Sequence, residues 1–294
     1  MRTSELFKTK KVFSFEIFPP KRTAPVDIIY QTVAQLSDLA PDFISVTYGA
    51  GGSENNTETL RIARAVKNDY GIESVAHLPS VNLTRRDVLN LLDELKAAGI
   101  KNILALRGDI NPDFEPRKEF HYASDLISFI KENGDFHLIG AAYPEGHREC
   151  ASIEDDIRNL KAKVDAGASQ LITQLFFDNA VFYAFRERAA HAGIEVPIQA
   201  GIMPITNKKQ LERMATLCGA GIPGKLRSLL DAYDDDPDGL LDAGIAYAIE
   251  QIGDLMAQGT DGVHLYTMNN PEVARRIHAS THELFGSAIA MRRG

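Results

Sequence analysis

Cysteine is scarce in this sequence. Only Cys150 and Cys218 occur among its 294 residues, and they form neither a CxxC pair nor any other spacing typical of metal ligands. We therefore expect two reduced thiols, as in a cytoplasmic protein, and no metal site.

Long apolar runs are also missing. The longest apolar stretches, such as residues 171–177, are far shorter than the ~20 apolar residues that a membrane-spanning helix needs. The first eight residues contain no apolar segment of the kind found in a secretory signal. The sequence thus predicts a cytoplasmic protein with no membrane partner.

The sequence has no excess of basic residues either. Its net charge is −8 and its isoelectric point is about 5.5, which argues against nucleic acid and anionic membranes as partners. An anionic small molecule stays open as a ligand, because a few placed cations and helix N-termini are enough to bind phosphate. We therefore expect small-molecule partners.

The overall composition is that of an ordinary soluble protein, with 44% apolar and 24% charged residues. Short apolar runs alternate with longer amphipathic stretches along the chain. Eight of these runs are bounded by Gly, Pro, Asp or Asn, and they cover residues 12–18, 43–48, 74–78, 102–106, 138–143, 170–177, 197–203 and 262–268. Their near-continuous apolarity predicts parallel strands that are covered on both faces.

Helix signals separate the predicted strands. Thr84 and Ser152 are each followed three residues later by an aspartate, close to a capping box, and Gly99 and Gly167 are placed to end helices. Repeated strand–helix units with right-handed crossovers close into a (β/α)8 barrel, a fold of about 250 residues. We interpret residues 1–294 as one such TIM barrel in a single domain. An open doubly wound sheet is the alternative, and the lack of a glycine fingerprint after the first strand argues against it.

One interval is too long for a single helix. Residues 207–259 leave room for more than one helix before the last predicted strand, so we expect a helical excursion on the rim of the barrel. We interpret the acidic run at residues 233–238 as a solvated turn and helix N-terminus. A metal site is the alternative, although the sequence offers no ligand partners for it.

Glu16 is the most unusual residue of the predicted strands. It lies in the apolar run Phe-Ser-Phe-Glu-Ile-Phe, which ends in two prolines, and a buried carboxylate is costly unless it is paired or protonated. In a barrel of this kind, the chemistry is concentrated at the carboxyl ends of the strands. We therefore favour a functional carboxyl group, with a salt-bridged structural glutamate as the alternative.

Further polar residues lie at or near the ends of five other predicted strands: Thr47, His77, Arg107 with Asp109, Tyr143 and Gln174. Thr47 leads into a glycine-rich loop at residues 50–53 that is either a ligand contact or a plain turn. A lone histidine is more often structural than catalytic, and Arg107 and Asp109 could form an internal ion pair. Gln174 interrupts the apolar run of residues 170–177 and needs a partner, either backbone or ligand. Six polar strand ends together predict one convergent pocket.

Seven segments in a fixed order carry a wider resemblance. They are residues 15–21, 45–49, 105–109, 141–145, 163–168, 173–178 and 201–204. As a set they resemble the methylenetetrahydrofolate reductase family, in its short bacterial form without a regulatory domain, over nearly the whole chain. Since this family consists of (β/α)8 barrels that depend on flavin adenine dinucleotide (FAD), the resemblance implies an FAD-dependent oxidoreductase of folate-bound one-carbon units.

The resemblance implies a role for each matching residue. Glu16 is expected to be the general acid that opens the five-membered ring of 5,10-methylenetetrahydrofolate. Asp109 is expected to hold the pterin and to stabilise the positive charge that develops as the ring opens. The implied substrate contacts are Thr47, Gln174, Gln210 and Tyr266.

The resemblance also implies a set of cofactor contacts. They are Thr47, His77, Arg107, Gly108, Asp109, Tyr122, Ala123, Tyr143, His147, Asp156, Asn159 and Lys163. Arg107 and Lys163 suit the pyrophosphate of FAD, because both side chains carry a positive charge. NADH is expected as the electron donor, with NADPH or a partner protein as alternatives, and the protein is expected to be a homo-oligomer.

Three positions depart from the family pattern. Ala162 stands where a second basic residue often precedes the cofactor lysine, Met214 replaces an aromatic residue that stacks on ligands, and Asn270 replaces a basic residue. These positions affect the identity of the electron donor more than the flavin chemistry. Two competing interpretations are a flavin-free barrel that condenses or cleaves a pterin or phosphorylated substrate, and a non-catalytic binding or electron-transfer subunit.

Overall fold

The computed structural model describes residues 1–20, 27–48, 56–110 and 116–286. The glycine-rich loop at residues 50–53 lies outside the described residues, as do Lys21 and Gly49 of the matched segments. In the described part of the chain, eight parallel strands pair in sequence order, and the last pairs with the first to close a barrel. The expected (β/α)8 fold is therefore confirmed, and the open doubly wound sheet is excluded.

All eight predicted strands are present. They are β1 (Val12–Ile17), β2 (Phe43–Val46), β3 (Glu73–Pro79), β4 (Asn102–Leu106), β5 (His137–Ala142), β6 (Gln170–Thr173), β7 (Ile198–Ile202) and β8 (Gly262–Tyr266). Their ends agree with the apolar runs to within two residues, except in β6.

The sixth strand is shorter than its apolar run because part of that run packs elsewhere. β6 ends at Thr173, so Gln174 follows the strand and does not interrupt it, contrary to our prediction. The Gln174 side chain accepts a hydrogen bond of 2.9 Å from the Leu175 N–H. Leu175 and Phe177 are buried in a second apolar cluster, with residues of the helical excursion, and this packing explains their apolar character.

Helices alternate with the strands in the described part of the chain. They are α1 (Asp27–Ser37), α2 (Asn56–Asn68), α3 (Arg85–Ala97), α4 (Ala123–Asn133), α5 (Ile153–Ala166), α6 (Asn179–His191), α7 (Lys208–Cys218), α8 (Gly224–Ala232), α9 (Pro237–Ala257) and α10 (Pro271–Thr281), with short 3₁₀ helices at Thr3–Lys8 and His282–Leu284. The capping box at α3 is confirmed: Thr84 Oγ1 accepts from the Asp87 N–H at 3.1 Å, and the Asp87 carboxylate accepts from the Thr84 N–H at 2.8 Å. None of these helices combines the length and the apolar character that crossing a membrane requires.

The expected excursion is confirmed as three helices, α7, α8 and α9, between β7 and β8. The acidic run forms a turn and a cap, as interpreted: the Asp236 carboxylate accepts from the Gly239 N–H at 2.9 Å, and Asp234 pairs with Lys208. Among the residues that the structure describes, no group of three or more His, Cys, Asp or Glu side chains could hold a metal ion.

Two close contacts join the excursion to the barrel. Gly244 of α9 lies against the Ile205 carbonyl, so close that a Cβ would come within 1.9 Å of the oxygen. The Glu145 carboxylate, in the loop after β5, accepts hydrogen bonds of 2.9 and 3.0 Å from the Gly221 N–H between α7 and α8. These contacts hold the rim helices at the end of the barrel where the strands terminate.

Candidate active site

A cavity of about 1570 Å³ lies at the carboxyl ends of the strands. Residues at the ends of all eight strands line it, and the loop before α4, helix α5 and helix α7 complete its walls. This is the end of a (β/α)8 barrel where active sites are built. The parallel strands thus bring together side chains that are far apart in the sequence.

Most of the residues singled out in the sequence line this cavity. They are Glu16, Thr47, His77, Arg107, Gly108, Asp109, Tyr122, Ala123, Tyr143, His147, Asp156, Asn159, Lys163, Gln174 and Tyr266. Gln210 is the exception: it lies on α7 outside the lining, and its Oε1 accepts a 3.2 Å hydrogen bond from Thr206 Oγ1. The roles of all these residues stay predictions.

Glu16 points from β1 into the floor of the cavity, with 18% of its side chain exposed. Its Oε2 lies 3.6 Å from Nε2 of His77 and 3.7 Å from Nε2 of His264. Burial lowers the pKa of His77 to about 4, so this imidazole is neutral near pH 7. Because His77 carries no charge there, it forms no ion pair that would hold Glu16 as a structural carboxylate.

His77 also presents an unused polar atom. Its side chain is buried, and Nε2 has no hydrogen-bond partner among the described residues. Buried polar atoms are nearly always paired in folded proteins. Since His77 lines the cavity, its free nitrogen is suited to a ligand.

Arg107 and Asp109 do not form the internal ion pair considered for them. The Arg107 guanidinium instead binds the Glu149 carboxylate through two hydrogen bonds of 2.6 Å, and its Nε donates to the Gly108 carbonyl at 3.1 Å. Asp109 is exposed on the cavity wall. The structure therefore leaves the Asp109 carboxylate facing the space where a ligand would lie.

Gly108 is required by the backbone between these two residues. Its φ is +88°, in the left-handed region that favours glycine. A Cβ at this position would also lie 2.9 Å from the Cβ of Pro79, the last residue of β3. The absence of a side chain lets this stretch of backbone form the cavity wall.

The α5 side of the cavity holds a largely buried cation. Lys163 Nζ donates to the Ala141 carbonyl at 2.9 Å and lies 5.4 Å from the centre of the Tyr143 ring. Burial lowers the pKa of Lys163, and the neighbouring Asp156 carboxylate opposes that shift. An ammonium group in this position has donors left for an anionic ligand such as a phosphate.

Sequence reasoning missed several residues of the cavity. Glu149 was overlooked because it lies in a loop, and its pairing with Arg107 is visible only in the structure. Cys218 also lines the cavity, beside Met214. A signal for it did exist, since these two residues are four positions apart and share one face of α7.

The three departures from the family pattern lie in different places. Ala162 and Met214 both line the cavity. Asn270 is not part of the lining and caps α10, where its side chain accepts from the Val273 N–H at 3.2 Å. A helix cap accounts for the asparagine without reference to a ligand.

A closed parallel barrel whose strand ends meet at one cavity with convergent acidic, basic and imidazole groups has the architecture of an enzyme. The sequence profile described as "Methylenetetrahydrofolate reductase" matches residues 2–282. The chain belongs to the methylenetetrahydrofolate reductase family and is an oxidoreductase, which confirms the resemblance found in its motifs.

Individual relatives agree with this assignment. The chain is 38% identical over 264 residues to the 5,10-methylenetetrahydrofolate reductases of Pectobacterium carotovorum subsp. carotovorum and Escherichia coli (strain K12), covering 90% of this chain and 88% of each relative. It is 36% identical over 272 residues to "Methylenetetrahydrofolate reductase (NADH) 1" of Arabidopsis thaliana, covering 87% of this chain and 46% of that protein.

Solved structures show the same fold at lower identity. An uncharacterised protein from Clostridium thermocellum that binds two copies of 5-methyl-5,6,7,8-tetrahydrofolic acid aligns with a TM-score of 0.67 and 15% identity, over 97% of this chain and 99% of that one. A tryptophan synthase structure from M. tuberculosis aligns with a TM-score of 0.55 and 14% identity, over 96% and 94%. At these identities the likeness establishes the barrel fold alone.

Proposed function

We propose that this chain reduces 5,10-methylenetetrahydrofolate to 5-methyltetrahydrofolate, with FAD as its cofactor and NADH as the electron donor. The observation that carries the proposal is one cavity of about 1570 Å³ lined by Glu16, Asp109 and Lys163. The names of the relatives support the reaction, and the plant relative's name includes NADH. The folate bound by the structurally similar Clostridium thermocellum protein supports the substrate class.

The residues of the cavity fit FAD. Drug-sized ligands occupy pockets of about 300–1,000 Å³, so this cavity has room for a dinucleotide and a second ligand. Lys163 and Arg107 would hold the pyrophosphate, since both are cations on the wall. The unpartnered Nε2 of His77 would bind a polar edge of the flavin. FAD, when bound, supplies two-electron transfer from a nicotinamide to the folate carbon.

The chain's own residues would carry out the folate chemistry at the floor of the cavity. Glu16 would give a proton to the folate nitrogen that leaves as the five-membered ring opens. The opened form is a cation, and the Asp109 carboxylate would stabilise it, because an anion held beside the developing charge lowers the free energy of that charge. Gln174 and Tyr266, at the ends of β6 and β8, would position the pterin.

The proposal can be tested on the purified chain. Its FAD content is measured first, and bound flavin is then reduced anaerobically with NADH or NADPH and reoxidised with 5,10-methylenetetrahydrofolate. We expect one FAD per chain, faster reduction by NADH, and formation of 5-methyltetrahydrofolate. A colourless protein that binds folate would favour a flavin-free barrel, and a flavin that neither nicotinamide reduces would indicate a protein electron donor.

A further inference from the structure

The barrel interior beneath Glu16 is unusually polar. Side chains inside barrels of this type are mostly branched and apolar, but here a polar column of five fully buried residues runs through the core: Thr3, Gln170, Gln199, Ser14 and His264. Each neighbouring pair is within hydrogen-bond distance. Because an unpaired polar group is costly in such a place, the directions of these hydrogen bonds are tightly determined.

The contacts of Gln199 determine which group donates and which accepts in these hydrogen bonds. Its Nε2 lies 3.2 Å from the Val263 carbonyl oxygen and 2.9 Å from Ser14 Oγ. A carbonyl can only accept, so this end of the amide must be the nitrogen. The other end, Oε1, then accepts from Gln170 Nε2 at 2.8 Å. Both protons of the Gln199 amide are therefore used, and one of them is donated to Ser14.

Because Ser14 accepts a hydrogen bond from Gln199, its own hydroxyl proton is available to His264. Ser14 Oγ has one proton to donate, and its nearest acceptor is Nδ1 of His264 at 2.7 Å. The alternative acceptor, the Val263 carbonyl, is 3.5 Å away and already accepts from Gln199. Ser14 therefore donates to Nδ1, and a neutral imidazole that accepts at Nδ1 carries its proton on Nε2.

The protonated nitrogen faces the candidate acid. Nε2 of His264 lies 3.1 Å from Ser45 Oγ and 3.7 Å from Glu16 Oε2. The ring cannot turn away, because it is fully buried between the rings of Phe43 and Tyr266, whose centroids lie 5.9 and 5.6 Å from its own. The column thus places an N–H donor beside the Glu16 carboxyl group: it donates to Ser45 Oγ, and Glu16 Oε2 lies just beyond hydrogen-bond distance.

We propose that His264 is a positioning residue for Glu16, and that the polar column fixes it in the Nε2–H form. This inference rests on the proposed role of Glu16 as the acid. With substrate bound, the N–H would close the 3.7 Å separation from Oε2 and leave Oε1 for the substrate. It also stabilises the carboxylate that remains after the proton has been given up, because a hydrogen bond to a charged group is stronger than one between neutral groups.

Other titratable groups also face Glu16, and the test must separate His264 from them. Among the described residues they are His77 on β3, Tyr266 on β8 and Cys218 at the end of α7. Only His264 is connected to the buried column by hydrogen bonds. Variants of the column should therefore change the state of His264 and leave the ring of His77 as it is.

The first experiment observes the tautomer directly, without folate or cofactor turnover. Nitrogen NMR on protein labelled in its histidine rings distinguishes Nδ1–H from Nε2–H, and His264→Gln identifies the signals of this ring. We expect Nε2–H in the parent and a mixture of forms in Ser14→Ala. A parent in the Nδ1–H or charged form, or an unchanged ring in Ser14→Ala, would overturn the proposal.

The same spectrum contains an internal reference at the other end of the column. Asn102 Oδ1 accepts from the Thr3 N–H at 3.0 Å, which identifies it as the amide oxygen, and it lies 3.1 Å from Nδ1 of His137. His137 must then donate from Nδ1. His137 and His264 are expected to show opposite tautomers, so an error in reading the spectrum would be apparent.

The second experiment measures the folate half-reaction against pH by anaerobic stopped flow. His264→Leu removes the donor, and His264→Gln restores an N–H. We expect the Leu variant to lose roughly tenfold or more in the folate half-reaction and to shift its pH profile upward, while Gln recovers part of the rate. Reduction by NADH should be unchanged. Equal losses in both half-reactions, or an unshifted profile, would contradict the positioning role.

Discussion

The hydroxyl of Tyr266 on β8 donates a 2.7 Å hydrogen bond to the backbone carbonyl of Thr173 at the end of β6. The bond passes over β7 at Gly201, where a Cβ would lie 2.2 Å from that carbonyl and 2.9 Å from the hydroxyl. Gly201 also donates its N–H to Thr173 Oγ1 at 2.9 Å. Because Gly201 has no side chain, Tyr266 of β8 and Thr173 of β6 can approach each other across β7 in the wall of the cavity.

Gly201→Ala tests this relationship. The added methyl has only backbone and a ring to displace, so we expect roughly 1–3 kcal/mol of lost stability from overpacking and a raised KM for folate as Tyr266 moves. The measurements are urea unfolding and steady-state kinetics. Gly253→Ala is the control, because a Cβ there meets nothing within 4 Å. Parent-like stability and KM in Gly201→Ala would remove the packing argument.

Glu16→Gln tests the candidate general acid. Glutamine keeps the size of the side chain but has no proton to give, so the folate half-reaction should slow by about 10²–10⁴-fold. Reduction by NADH needs no proton from Glu16 and should stay within about tenfold of the parent. Anaerobic stopped flow measures the two steps separately. Equal losses in both would mean that Glu16 only supports the pocket.

Lys163→Ala tests the proposed pyrophosphate contact. Removing the cation should weaken FAD binding by roughly tenfold or more, since charge-assisted hydrogen bonds are lost, and should reduce the rise in Tm that added FAD causes. Titration calorimetry of the apoprotein provides the affinity. Lys161→Ala is the matched control, because Lys161 lies on the same helix and pairs with Asp165. Unchanged affinity in Lys163→Ala would refute the contact.

Asp109→Asn tests the candidate charge-stabilising residue. The change keeps the shape and removes the negative charge, so we expect folate turnover to fall by roughly tenfold or more. Asp135→Asn is the control, since Asp135 precedes β5 at the opposite end of the barrel and pairs with Arg2. Steady-state rates with saturating NADH provide the comparison. Parent-level turnover in Asp109→Asn would leave this carboxylate without a catalytic role.

The pH dependence of stability follows from the buried histidines. Burial lowers the pKa of His77 and His137 to about 4, against about 6.5 in the unfolded chain. The unfolded state therefore binds protons first as the pH falls, and stability is lost between about pH 6.5 and pH 4 and is fully present above that window.

His137→Gln isolates one of these contributions. About 2 kcal/mol of the stability lost between pH 7 and pH 5 should disappear in this variant. The free energy of unfolding in urea at the two pH values is the measurement. His191→Gln, at an exposed position of α6, should lose as much free energy of unfolding between the two pH values as the parent does. If His137→Gln lost as much free energy of unfolding between pH 7 and pH 5 as the parent, this histidine would not take up a proton on unfolding.

The barrel itself could be predicted from the sequence, because each buried parallel strand leaves a short apolar run bounded by chain-turning residues. The limits of this signal appear at β6. Leu175 and Phe177 are as apolar as the strand before them, but they pack against the rim helices. An apolar residue indicates that its position is buried, but it does not indicate which helix or strand packs against it.

The site was predictable where a polar residue interrupts an apolar strand, as Glu16 does. His264 also interrupts an apolar strand, but its role depends on which residues it faces in the neighbouring strand. It lies opposite Ser14 across the β1–β8 pair, and the sequence does not specify which residues face each other across a barrel. Gln210 shows a limit of family resemblance: its position matches a substrate contact of the family, but in this chain it lies outside the cavity lining.

The link between Glu145 and Gly221 has a consequence for the order in which parts of the molecule open. The strands hold one another through a continuous ladder around the barrel, whereas α7 and α8 follow one another with no strand between them and attach to the barrel through apolar side chains and the Glu145 link. A region held by few contacts exchanges its amides through local opening and not through global unfolding. We therefore expect amide hydrogen exchange in α7 and α8 to be faster than in the strands, and faster still in Glu145→Ala, because that carboxylate ties the turn between them to the loop after β5.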